Sequence, residues 1–278
     1  MSGLNKPAAG GGPIWNETDV SLRWYLWEGG FLVIGQAGGE VPDHAHHALQ
    51  IFIAIEGEVA IRPSGKEWRT ARGIIVKPDV EHSFDARGAT GAMLFVDPES
   101  AEGAWLQSVL PQEITLVPEQ RHQPCASALR TFIERPLEAM EISDLVRHCV
   151  QTLCAGAPPT RRLDPRIATV LKAIHDSEDL RMSLEDAAKM VHLSPGRFAH
   201  LFKDELGLPF RRYMLWRKVT RSMLAIGRER TIAAAAQKGD FADAAHLTRT
   251  YYQMFGLVPS VMMRGEFFEI RSPFSAPS

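Results

Sequence analysis

The sequence has no uninterrupted apolar run of about 18 residues, the length a membrane-spanning helix needs. It has little cysteine: Cys125, Cys149 and Cys154 are three in 278 residues, cannot all pair, and form no CxxC. A disulfide framework is therefore excluded, and a reducing, cytoplasmic setting is expected. The first twelve residues lack the basic start and apolar core of a secretory signal. Net charge is almost absent, 31 Lys+Arg against 33 Asp+Glu, which at first sight speaks against a nucleic-acid partner. What remains is ordinary globular composition, 45% hydrophobic and 23% charged, over a length that suits about two domains.

The near-zero charge hides an asymmetry. Residues 161–278 hold 19 Lys+Arg and 13 Asp+Glu, a net of +6, whereas residues 1–160 hold 12 and 20, a net of −8. An acidic half joined to a basic half points toward nucleic acid. The pattern changes at the same place. Short apolar runs such as Phe31–Ile34, Leu49–Ile55, Val59–Ile61 and Gly73–Val76, broken by Gly and Pro, predict antiparallel strands. Ile142, Leu145, Val146, Cys149, Val150 and Leu153 then follow a helical stripe, with Cys149 and the nearby Cys154 expected as buried apolar residues. Pro158-Pro159 breaks the stripe, and the chain beyond Leu163 is helical in pattern.

The sharpest signal lies there. Ser183 N-caps a short helix with an apolar face of Leu184, Ala187, Ala188 and Val191; His192-Leu193 turns the chain; Ser194-Pro195 opens a second helix, which Gly207 ends. This helix-turn-helix plan recurs 49 positions later, pairing Ala187 with Ala236, Ser194 with Asp243, Phe198 with Leu247, Phe202 with Tyr251 and Gly207 with Gly256. Between the copies, Phe210 to Ile226 reads as a connecting helix about 25 Å long.

These segments, with Tyr213, Arg217, Phe241–Pro259 and Arg264, resemble the DNA-binding domain of the AraC/XylS family of bacterial transcription regulators. The family pattern has Gly where this chain has Asp240, a turn position that needs positive φ, which Asp tolerates. The resemblance implies that Arg197, His200 and Lys203 in one helix and His246, Thr248 and Arg249 in the other contact DNA, Arg249 foremost. It also implies a homodimer, and contact with RNA polymerase.

In the first half, Gly38, His44, His46, Gln50 and Gly57, followed by Gly73, Pro78 and His82, resemble the two motifs of the cupin barrel, with Gln50 replacing the usual Glu. The cupin resemblance implies that His44, His46 and His82, with Gln50 as a weak fourth ligand, can hold a divalent transition metal, although none is required. Without metal, His44, His46, Gln50 and His82, together with Trp24, are expected to contact an organic effector in the barrel mouth. His47 alternates to the other face and is expected to be solvent-exposed.

The expected fold class is α+β with two domains: an N-terminal antiparallel β-barrel (cupin-like) with following helices, then an all-α double helix-turn-helix. Its boundaries are a flexible N-terminus at 1–13, an effector-binding barrel at 14–100, connecting and dimerisation helices at 101–157, a linker at 158–163, the DNA-binding domain at 164–265 and a C-terminal tail at 266–278. The expected function is a non-enzymatic, effector-responsive transcription regulator. The alternative is a metal-dependent cupin enzyme, an oxygenase or isomerase, fused to a DNA-binding module.

Overall fold

The computed structural model describes residues 22–27, 30–36, 38–131, 138–154, 163–177, 179–270 and 273. The expected N-terminus at 1–13 and nearly all of the 158–163 linker lie outside these residues.

The first half is mostly strand: β1 Arg23–Trp27, β2 Gly30–Gln36, β3 Glu40–His44, β4 Leu49–Glu56, β5 Val59–Pro63, β6 Arg69–Ala71, β7 Gly73–Val76, β8 His82–Asp85 and β9 Thr90–Val96. Helix α1 (Ala101–Val109), strand β10 (Ile114–Leu116) and helices α2 (Glu119–Arg130) and α3 (Ala139–Leu153) follow. The second half holds α4 Pro165–Asp176, α5 Leu184–Met190, α6 Pro195–Leu206, α7 Phe210–Glu229, α8 Ile232–Lys238, α9 Ala244–Phe255, a 3-10 turn Pro259–Arg264 and β11 Glu266–Glu269.

The strands make two open sheets, not the closed barrel expected from the sequence: a seven-stranded sheet ordered β10-β7-β4-β9-β2-β1-β11 and a four-stranded sheet ordered β3-β8-β5-β6. Alternation along β4 shows how the large sheet is used. Leu49, Ile51, Ile53 and Ile55 face α1–α3, including the whole Ile142–Leu153 stripe and Cys149. Phe52 and Ala54 face the small sheet. A strand buried on both sides reads as a continuous apolar run, hence the unbroken Leu49–Ile55.

The small sheet is too narrow to cover the rest of that face. Over β9, β2 and β1 its place is taken by helices of the second half: Trp24, Phe31 and Phe95 pack with Trp216, Val219, Met223, Tyr251 and Phe255. The two halves therefore share a core. The expected C-terminal tail also changes character, because β11 pairs in parallel with β1 and adds the last strand to the large sheet.

Helices α5 and α6 pack as one pair and α8 and α9 as another, and α7, at 20 residues, is longer than the expected Phe210–Ile226. Ser194 and Asp243 cap the second helix of each pair, and Gly207 (φ 78) and Gly256 (φ 64) end them left-handed. The repeat is not uniform. The Leu193 N–H bonds to the Ala188 carbonyl and the Phe241 N–H to the Ala236 carbonyl, both at 2.9 Å, so Ala188, not Ala187, matches Ala236. The first helices align at an offset of 48 and the second at 49, because one extra residue sits in the second turn.

Candidate ligand cavity and nucleic-acid interface

A cavity of about 620 Å³, a volume that includes open solvent at its mouth, lies where the two sheets and α9 meet. Trp24, Phe31, Val33, Met93 and Phe95 of the large sheet, Val41 and Phe84 of the small one, and Tyr251, Phe255 and Leu257 at the α9 end form an apolar wall. His44 and Gln50 supply its polar edge. Trp24 thus lines the cavity; the α9 contribution was not visible in the sequence.

His44 and His82 are paired residues on β3 and β8, and His46 follows in the β3–β4 loop rather than on the strand. One ring nitrogen from each lies within 4.8 Å of the others. Each ring turns Nδ1 to a backbone carbonyl: His44 to Pro42 at 2.8 Å, His46 to Ala48 at 3.1 Å, His82 to Val80 at 2.9 Å. Burial, reinforced by the neighbouring His82, lowers His44 to about 3 and His46 well below the usual histidine range; burial also lowers His82. The rings are neutral, Nδ1 carries the proton, and Nε2 is bare. Gln50 Oε1 lies 2.8 Å from Nε2 of His46 and 3.1 Å from that of His82. Two bare nitrogens need a donor, so the satisfying amide orientation presents its NH2 group to both and its carbonyl to the cavity.

Three imidazoles anchored through Nδ1 fit a transition dication in donor type and in their anchoring. His44, His46 and His82 would hold it, with Gln50 turned over as a neutral oxygen ligand, and the ion would supply Lewis acidity. The set contains no carboxylate to offset the charge.

His47 does point away from this cluster, but it is buried, not exposed as expected, at 4% accessibility. Its Nδ1 meets Asp79 Oδ2 at 3.0 Å and its Nε2 meets Glu99 Oε1 at 2.7 Å. Burial opposes the charge, yet the two carboxylates prevail and raise its pKa to about 10. The ring lies edge-on to Tyr213 and Trp216 of α7. From the same helix Arg212 reaches Asp79 at 3.3 Å and Arg217 approaches Asp97 at 3.9 Å. Burial and the adjacent Glu99 push Asp97 well above the usual carboxylate range. This polar contact between the halves was missed in the sequence; the Tyr213–Arg217 pair was its only trace.

Of the residues expected to meet DNA, Arg197, His200, Lys203 and Arg249 are exposed. Their side chains form no ion pair among the described residues, which leaves the charges of the two arginines and the lysine available. His246 and Thr248 are half-buried: the His246 ring packs on Phe241, and the Thr248 hydroxyl donates to the Ala244 carbonyl at 2.8 Å. Asp240 takes φ 56 as expected, and its carboxylate binds Lys218 at 2.7 Å and Arg181 at 3.4 Å.

Residues 187–265 match the family model of a helix-turn-helix domain. The chain carries an AraC-type helix-turn-helix domain. The whole architecture is similar to that of ToxT from Vibrio cholerae O395, with 11% identity, 88% of this chain and 96% of ToxT covered, and a TM-score of 0.53. It is also similar to ToxT from V. cholerae strain SCE256 with a bound unsaturated fatty acid, with 12% identity, 89% and 96% covered, and a TM-score of 0.52. Among curated proteins, none matches the sequence. The AraC-type domain thus sits behind an N-terminal region of ToxT-like fold, and no helix among the described residues is long and apolar enough to cross a membrane.

Proposed function

We propose that this AraC-type protein is a DNA-binding transcription regulator whose cavity receives a small-molecule effector. One observation carries the link between the two activities. Tyr251 and Phe255 line the cavity, and they belong to the same helix, α9, that carries Arg249 on its exposed side. Whatever fills the cavity touches the helix expected to read DNA. An effector acts only through different affinity for two seatings of α9, and this wall can supply the difference.

The double helix-turn-helix reading gives α6 and α9 the role of recognition helices. Helix α7, about 30 Å long at 20 residues, holds them apart on a scale near the ~34 Å between successive major grooves. Arg197, His200 and Lys203 serve one contact, and Arg249, flanked by His246 and Thr248, the other. A cupin-type ancestry of the sheets, a homodimer, contact with RNA polymerase and a cytoplasmic setting belong to the same reading as family expectations. Fatty-acid binding by ToxT lends support to an apolar effector.

The test is selection of bound duplexes from a random pool, followed by anisotropy titration at two salt concentrations. Sequence-selective, salt-sensitive binding is expected. Equal binding of every duplex would sink the regulator reading. The metal-dependent cupin enzyme remains the second reading because of the three converging imidazoles. It requires stoichiometric transition metal in the purified protein, lost in His82→Ala. The hydrogen-bonded fit of Gln50 between His46 and His82 favours the effector site.

A further inference from the structure

The cavity has a polar edge without a cation. Neither Lys nor Arg lines it among the described residues. An anionic ligand entering it would give up its hydration and meet no counter-charge, which is strongly unfavourable in an apolar enclosure. The wall is aromatic over much of its area, with Trp24, Phe31, Phe95 and Phe255 presenting rings.

The edge instead offers acceptors. His44 is only 6% exposed and donates through Nδ1 to the Pro42 carbonyl. Its Nε2 has no hydrogen-bond partner among the described residues, yet it is not sealed among the fully enclosed unpartnered atoms. It is the unpartnered nitrogen of a ring that lines the cavity. The Gln50 carbonyl faces the same space once the amide serves His46 and His82. The Trp24 indole N–H is not available as a donor there, because it is enclosed beside Gly265. The remaining polar wall residue, Tyr251, keeps its phenol un-ionised, since burial pushes it above the ordinary phenol range.

We infer that the effector is an uncharged, mainly aromatic molecule bearing one hydroxyl or N–H donor, which it gives to His44 Nε2, and that the site rejects carboxylates. This departs from the fatty-acid-bound form of ToxT, and it rests on the reading of the cavity as the effector site.

The experiment uses the full-length protein with excess EDTA, so that His44 stays free of metal, and follows binding by Trp fluorescence and calorimetry. The probes share one ring system: 2-naphthol, 2-methoxynaphthalene, 2-naphthoate and 2-naphthylmethylammonium. Binding of 2-naphthol about 10-fold or more tighter than its methyl ether is expected, because a buried acceptor left unpaired is costly. The naphthoate and the ammonium are expected to bind weakest. His44→Phe is expected to bring naphthol and its ether within about 2-fold of each other, again for want of the acceptor.

The wild-type series decides the matter even if His44→Phe fails to fold. Equal binding of naphthol and its ether, preference for the naphthoate or the ammonium, or no binding by any probe would each overturn the inference. Failure of the regulator reading shows separately, as loss of sequence selectivity in DNA titrations run without probe.

Discussion

Arg249 and Gly256 stand at opposite ends of one argument about α9. Arg249 is exposed and unpaired among the described residues, so its removal leaves the fold alone and, on the proposed reading, acts on DNA binding. Arg249→Ala is expected to weaken binding to the selected duplex by about 1–2 kcal/mol and to lower the salt slope by about one, with Tm unchanged. Anisotropy titrations across salt concentration check this; an unaltered slope would remove Arg249 from the interface. Gly256 is constrained twice. Its φ of 64 lies in the left-handed region, and an added Cβ would come within 2.6 Å of Val41 Cγ1. Gly256→Ala is expected to destabilise by about 2 kcal/mol, seen as a lower urea midpoint, because strain and contact act together. A midpoint shift of a few tenths of that size would show that β3 yields easily.

At the scale of elements, the turn between α8 and α9 differs from its counterpart by one residue and by the Asp240 carboxylate. That group ties α7 to the turn through Lys218, whose hydrogen bond lowers its pKa, with Arg181 adding to the effect. A depressed folded-state pKa contributes stability that is present above the unfolded value of 3.8 and disappears as pH falls through the folded value. Asparagine keeps the left-handed backbone, so Asp240→Asn isolates the charge. The variant is expected to be less stable than the parent by about 0.5–1 kcal/mol near neutral pH, the pair being partly solvated. The gap is expected to close as both are titrated below pH 3.8 in urea melts. A gap independent of pH would mean that the carboxylate acts through shape alone. The helix pairs themselves were legible because caps, proline at the first helical position and a 3.6-residue stripe are local signals. The one-residue shift between the copies was not, since either Ala187 or Ala188 serves equally well as the small residue at a helix crossing.

At the scale of the molecule, the first helix pair and the second differ in what holds them. Phe198, Phe202 and Phe210 share a core with α4 and α5. Leu247, Tyr251 and Phe255 share theirs with the large sheet. The two halves are therefore expected to melt in one transition, with Trp fluorescence and far-ultraviolet circular dichroism superimposing. A protease site introduced at residues 158–160 is expected, once cut, to leave the halves co-eluting in gel filtration. Separate transitions and separate elution would show that the shared core contributes little.

The sequence by itself determined the helices of the second half, the caps and stops of α6 and α9, the exposed cations and the set His44, His46, Gln50 and His82. Each is written in short-range periodicity, capping chemistry or motif spacing. Only the tertiary structure decided that the sheets stay open, that β11 joins β1, and that Tyr251 and Phe255 complete the cavity wall. It also decided that His47, read as exposed from strand alternation, is buried between Asp79 and Glu99, the latter 52 residues away. A helical stripe states that a face is apolar; it does not state which surface will cover it. That choice belongs to contacts between residues far apart in the chain, and it joins an acidic half and a basic half into one molecule.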